Sequence, residues 1–288
     1  MPNPGGTGVS VTQRSPKPQR QVRFLGPPLN VRAVRALCEH AFVPRDEADR
    51  AAVRDLLARG HPDREVAALS GVPQVTVGRW RRSWPPIPIR WRPAHEQSYA
   101  YLLGLYLGDG CLHVNRRGGV LLRICLDTDY PGIVDDCWAA MVLSMPRCRP
   151  GFVPRSGVQV VQVQASGKLW LHAFPQHGRG HKHERKIALE PWQQEIVTRH
   201  PQEFVRGLIH SDGCRTTNRF RTTLPSGRVA EYAYARYFFS NLSADIRGLF
   251  CAACDAIGVR WTLSNPRNVS VAHRASVARL DAIGCPKD

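Results

Sequence analysis

The strongest constraint in this sequence is a nine-residue motif that occurs twice. It reads Leu102-Leu103-Gly104-Leu105-Tyr106-Leu107-Gly108-Asp109-Gly110 and again Val205-Arg206-Gly207-Leu208-Ile209-His210-Ser211-Asp212-Gly213. Both copies carry small residues at the third and seventh positions. Residues four apart lie on one face of a helix, and a small-residue face lets two helices approach closely. Gly104 and Gly108 are therefore expected to meet Gly207 and Ser211 along a helix–helix interface. The closing glycines permit a sharp exit from helix into strand. Asp109 and Asp212 would then lie side by side at two helix C-termini, where the helix dipole and their own repulsion both disfavour them. Binding of a divalent cation offsets that cost, so both aspartates are candidate metal ligands.

The flanks of the motif repeat as well. Each half reads as helix, hairpin, helix, further strands, helix. Residues 111–126 read as a hairpin turning at Gly118-Gly119, residues 131–145 as a helix, and the Val/Gln alternation of 157–165 as a strand. Residues 95–285 thus form one large domain with halves of about 95–195 and 196–285.

Three segments precede it. Residues 1–44 are rich in Pro, Gly and basic residues and read as a flexible basic arm, with a short helix around Val31–His40. Residues 45–84 read as a small all-α module. Within it, Ala67 is small enough for a helix crossing and Gly71 tolerates a turn. Val66, Val72, Val77 and Trp80 are its apolar anchors, a helix-turn-helix pattern. The second helix, about Gln74–Ser83, would expose Gln74, Thr76, Arg79, Arg81 and Arg82, types that bond base edges and phosphates. Residues 85–94 hold Pro85, Pro86, Pro88 and Pro93 and read as a stiff linker.

Charge indicates the kind of partner. Forty Lys+Arg against 23 Asp+Glu give a formal +17, a field that attracts polyanions, nucleic acid first. With 43% hydrophobic residues the chain can bury a core. No apolar run is long enough to span a membrane, and Met1–Thr12 lacks the pattern of a secretory signal. The nine cysteines are odd in number and scattered. They read as small core residues in a reducing, cytoplasmic compartment, including the Cys251/Cys254 pair.

The doubled motif, each copy entering a strand, resembles the LAGLIDADG homing endonucleases in their two-motif, single-chain form. The resemblance covers about 95–285. It implies an α+β fold, a pseudo-twofold pair of αββαββα halves, here preceded by the helix-turn-helix module. It implies two sheets forming a saddle on double-stranded DNA, Mg²⁺ held by Asp109 and Asp212, cleavage of each strand, and a monomer with no cofactor beyond the metal. The middle acid of the motif is replaced by Leu107 and His210. In the second half, Ser243 and Asp245 resemble the helix caps of the family.

The resemblance also implies a catalytic lysine in each half. In the first half Lys182 and Lys186 are the candidates. After the second motif the only lysine is Lys287, so an arginine such as Arg274 is the expected substitute. His172, His177, His181 and His183 surround the lysine candidates, either as metal ligands or, more in keeping with their basic neighbours, as a phosphate-contacting loop. On the saddle, period-two alternation puts Arg215, Thr217, Arg219, Arg221 and Thr223 on one strand face, with Tyr234 and Arg236 on the partner strand. Asn115, Arg117 and Arg123 are the first-half counterparts. The competing expectation is a catalytically inactive DNA-binding regulator on the same fold. Retention of both aspartates favours the enzyme.

Overall fold

A computed structural model describes residues 46–287. The basic arm at 1–44 and its expected short helix lie outside the described residues. The elements are α1 (Glu47–Ala58), α2 (Asp63–Ser70), α3 (Gln74–Ser83), α4 (Glu96–Asp109), β1 (Gly110–Val114), β2 (Val120–Asp127), α5 (Pro131–Ser144), β3 (Gly151–Pro154) and β4 (Val160–Ser166). They continue with α6 (Trp170–Ala173), a 3-10 turn at Lys182–Glu184, α7 (Pro191–Arg199), α8 (Pro201–Asp212), β5 (Gly213–Thr223), β6 (Val229–Ser240), α9 (Ala244–Ala256), β7 (Thr262–Asn265), β8 (Asn268–Val271) and α10 (Arg274–Ala282).

The two halves repeat one topology. Each forms a four-stranded antiparallel sheet, ordered β1-β2-β4-β3 in the first and β5-β6-β8-β7 in the second. The expected αββαββα pair is the observed architecture. The range of the expected strand β3 is not marked in the sequence: Gly151–Pro154 pairs from Pro154↔Val161 through Gly151↔Gln164, and all four residues are exposed.

The leading helices of the halves, α4 and α8, pack against each other. A Cβ on Gly104 would come within 2.6 Å of the Phe204 carbonyl and 2.7 Å of the Leu208 nitrogen, and one on Gly207 would collide with the Tyr101 carbonyl. Backbone meets backbone there, and only glycine fits. Side-chain bonds also cross the pair: Gln97 Nε2 donates to Glu203 Oε1 at 3.0 Å. The Tyr101 hydroxyl lies 2.9 Å from His210 Nδ1, and His210 Nε2 lies 2.8 Å from the Gly284 carbonyl. A carbonyl can only accept, so Nε2 carries the proton and Nδ1 accepts from the tyrosine. Burial pushes this imidazole down to about 4, which keeps it neutral. One continuous apolar cluster joins both halves.

The α1–α3 segment has its own cluster of Val53, Leu57, Val66, Val72, Val77 and Trp80. Gly71 ends α2 at φ 70°, and its N–H donates to the Ala67 carbonyl. Side chain and backbone tie the segment to the large domain. Arg147 bonds His61 and pairs with Glu65, and Arg90 N donates to the Ala58 carbonyl at 2.6 Å.

Candidate active site and nucleic-acid face

Asp109 and Asp212 are the last residues of α4 and α8. Both are only partly exposed, and a Cβ on Gly108 would lie 3.0 Å from Asp212 Oδ2, so the motif ends converge. Burial, then the charge of Asp212, raises the Asp109 carboxyl to about 6, against the pull of Lys287 and Lys182. Burial also raises Asp212, while a hydrogen bond from Asn241 and the two lysines oppose it. Two acids held above their ordinary range and beside each other suit an added cation.

Each helix end carries a lysine. Lys182 Nζ donates to the carbonyls of Tyr106, Leu107 and Gly108, the latter two at 3.0 Å. Lys287 Nζ donates to the Ser211 carbonyl at 3.1 Å. These carbonyls lie in the last turn of each helix, where cations are favoured. Burial lowers Lys182 to about 8, opposed by Asp212 and Asp109, and burial likewise lowers Lys287, opposed first by Asp109. Lys186 is exposed and lies outside both clefts described below. Arg274 opens α10 as an exposed residue. The second-half cation is Lys287, which lies five residues beyond α10 and is brought back by the C-terminal turn.

Asn241 is a site residue that sequence reasoning passed over. It follows the last residue of β6, and its Nδ2 donates to Asp212 Oδ2 at 2.5 Å. Ser243 N and Arg247 hold it in place, donating to its Oδ1 and carbonyl at 2.7 and 2.6 Å. Ser243 caps α9 as expected, its side chain accepting from Ile246 N. Asp245 does not cap that helix. Its Oδ2 accepts from Ile187 N at 2.7 Å and ties down the chain after the lysine loop.

Two clefts flank the helix pair. The first contains Asp212, Lys182, Asn241 and Cys111, closed over by His177, His181, His183 and Arg185. His172 is exposed and is not among its lining residues. The second contains Lys287, Cys214, Tyr130 and Arg215 with its ion-pair partner Asp281. Among the described residues, no three His, Cys, Asp or Glu side chains form a ready-made metal cage.

The sheets present an open face, and its membership corrects the expected one. In the second sheet Gly213↔Phe239 and Arg215↔Tyr237 are register pairs, and Phe239 and Tyr237 are buried under the helices. Side chains alternate, so Arg215, Thr217, Arg219, Arg221 and Thr223 share the helix-side parity. Arg215 is bound there, donating to both oxygens of Asp281 at 2.9 and 3.0 Å, and Arg221 pairs with Glu231. The open side carries Thr216, Asn218, Phe220, Tyr232, Tyr234 and Arg236. Tyr234 and Arg236 thus face away from the arginine set with which they had been grouped. Arg236 donates to Ser270 at 2.5 Å and stacks over Phe238, leaving its buried Nε–H without a partner. In the first sheet Arg123 also lies on the open side, opposite Cys111 and Gln164, with its buried Nε–H unpartnered. Asn115 is committed to the hairpin turn, its Oδ1 accepting from Arg117 N and Gly119 N at 2.9 and 2.8 Å, and Arg117 stands exposed at the tip.

In the small helical segment Gln74, Arg79, Arg81 and Arg82 are exposed and Thr76 is half-buried. Arg81 pairs with Asp63 at 3.2 Å.

The chain resembles solved LAGLIDADG homing endonucleases. Mesophilic variants of the homing endonuclease I-DmoI align over 65% of this chain and 89% of theirs, at 16% identity and a TM-score of 0.44. I-DmoI in complex with DNA and Mn aligns over 65% and 96%, with the same identity and score. The LAGLIDADG meganuclease I-AabMI bound to uncleaved DNA aligns over 64% and 82%, at 10% identity and a TM-score of 0.42. No family model matches the sequence, and no curated protein does. Among the described residues, no helix is long and apolar enough to cross a membrane.

Proposed function

We propose that this protein is a DNA endonuclease of the LAGLIDADG type, acting as a monomer whose two halves each address one strand of a duplex. The observation that carries the reading is the convergence of Asp109 and Asp212 at paired helix ends, each raised in pKa and flanked by a lysine.

The donor set fits a hard divalent cation such as Mg²⁺. Two carboxylates and no full protein cage leave positions for water and phosphate oxygens. When bound, the metal supplies a Lewis acid for the phosphate and acidifies a coordinated water. Asp109 and Asp212 would hold it. Asn241 keeps Asp212 oriented and ionised. Lys182 and Lys287, half-buried at the helix ends, place positive charge where a pentavalent phosphate accumulates negative charge.

The open sheet faces would lie on the duplex. The guanidinium charges of Arg123 and Arg236 suit phosphate, and Thr216, Asn218 and Tyr234 suit base edges. The exposed Gln74, Arg79, Arg81 and Arg82, with Thr76, would add contacts as a helix-turn-helix module.

The test is incubation with a random-sequence duplex library and Mg²⁺, beside the Asp109→Asn/Asp212→Asn double variant. Fragments cut by the parent alone support the reading. Enrichment by binding with no cuts from either would replace it with the inactive regulator.

A further inference from the structure

The hairpins that follow the two motifs differ in what they carry at their far ends. β1 and β2 pair only from Gly110↔Ile124 to Val114↔Val120, and residues 110–127 contain no Phe, Tyr or Trp. β5 and β6 stay paired out to Thr223↔Val229. The open side of their ribbon holds Phe220, Tyr232 and Tyr234, which are 44%, 45% and 38% exposed. Phe220 and Tyr232 are a register pair whose rings lie 20° from parallel. Tyr234 stands edge-on to Phe220, with centroids 6.0 Å apart, and its hydroxyl accepts from Asn218 Nδ2 at 2.7 Å. The three rings therefore form one patch rather than scattered side chains. From Thr216 to Arg236 the ribbon has four arginines and one acid, Glu231, which Arg221 matches. Arg236 at the root and Arg228 in the turn bracket the rings. A cross-strand aromatic pair stabilises a hairpin, but that use calls for neither a third ring nor the basic excess.

We infer that this patch binds single-stranded DNA by stacking on its unpaired bases. Inside a duplex both faces of a base lie against its neighbours, so exposed rings meet only base edges there. An unpaired base offers a free face to a ring whatever its identity, and the backbone that carries it brings phosphates to the arginines. Exposed rings and an excess of arginine on one projecting element meet both demands. The partner is DNA rather than RNA because the patch continues outward from Thr216 and Arg236, on the side that the endonuclease reading lays against DNA. That choice rests on the endonuclease reading, whereas the stacking surface does not.

The test needs neither metal nor cutting. The full chain is titrated into a labelled oligothymidylate of about 12 nucleotides, within the site sizes of such surfaces, and fluorescence anisotropy is followed without divalent metal. An abasic strand, a ribo strand of the same sequence and a duplex, all of equal length, are titrated beside it at the same salt. The parent should hold the base-bearing strand about tenfold more tightly than the abasic one, the worth of a stacked base. Phe220→Thr/Tyr232→Thr keeps strand-forming residues in the ribbon. It should bring those two strands level and leave duplex affinity as in the parent. Phe220→Leu/Tyr232→Leu keeps apolar surface without a ring and should act likewise. Equal affinity of the parent for the base-bearing and abasic strands overturns the stacking surface, as does a preference that survives in either double variant. An equal loss of duplex and single strand, in variants that melt with the parent, would put the rings on paired DNA and overturns it too. Tighter binding of the ribo strand overturns the choice of DNA. An absence of cuts in the library experiment removes the endonuclease reading and leaves the comparison with the abasic strand to decide the patch, and equal affinities here leave the cutting untouched.

Discussion

The two sheets are built on one topology but bury themselves differently. In the first, β2 alternates buried and half-buried residues from Val120 to Leu126, and β4 does so from Val160 to Ala165. The helices above cover the inner face of these two central strands. In the second, β5 and β6 run 11 and 12 residues, but β8 pairs only with Tyr237–Ser240. Residues beyond that point form a two-stranded ribbon exposed on both sides, with Phe220 and Tyr232 stacked on it at 5.2 Å. A strand under helices declares its inner face by burial. A projecting ribbon does not, and the few residues at its root set the parity of all the others.

The comparison between halves is broken most sharply at the lysines. Lys182→Met and Lys287→Met should each cost about 10²–10³-fold in cutting, as loss of a preorganised charge does, and each should spare one strand. End-labelled substrates read this directly. Loss of both cuts from either substitution would mean that the clefts do not work separately.

The helix pair is the next place to press. Gly207→Ala drives a methyl into the Tyr101 carbonyl and should cost ~2–3 kcal/mol in urea denaturation. Gly108→Ala meets the Ser211 hydroxyl and Cβ and the Asp212 carboxylate; the hydroxyl and carboxylate can turn aside but the Cβ moves only with its helix, so a smaller loss of ~1–2 kcal/mol is expected. Equal losses would show that the contact is no tighter at its middle than at the aspartate end.

Asp109 gives a pH test. Its folded pKa, about 6, lies above the unfolded value near 3.9. The folded state therefore holds this proton more tightly, and the associated stability is present below about pH 4 and lost as pH rises through 6. In metal-free protein, Asp109→Asn should be more stable than the parent by ~1–3 kcal/mol at pH 7.5 and no different near pH 3.5. Asp212→Asn should gain less, because Asn241 already stabilises the ionised form. A parent more stable than Asp109→Asn at pH 7.5 would refute the repulsion described here.

The smallest effect compares the two faces of the ribbon. Arg236→Ala should weaken DNA binding and lower the salt dependence by about one counterion. Arg215→Ala, whose charge is already matched by Asp281, should leave the salt dependence unchanged and cost at most ~1 kcal/mol of stability. Anisotropy titrations at several salt concentrations distinguish them.

Much of this site could be read from residue order alone. Gly104, Gly108, Gly207 and Ser211 announce a close helix pair because small residues four apart let two helices approach, and an aspartate closing each helix marks the candidate metal position. Lys182 stood out in a basic loop. Asn241 carried no such signal, since an asparagine between a strand and a helix usually serves the turn. Lys287 was visible as a residue but not as a site, because its distance from Asp109 depends on how α10 and the final turn fold back.

By itself the sequence determined periodicity and repetition: the doubled helix-to-strand unit, the glycine seam, the paired acids, the basic field. These follow from local geometry, which each residue carries wherever it stands. The tertiary structure alone decided which side of β5 faces outward, which lysine reaches the second helix end and which arginines keep a free donor. Those outcomes depend on partners distant in the chain, such as Tyr237, Asp281 and Gly284, and burial by a neighbour that arrives from elsewhere leaves no local mark.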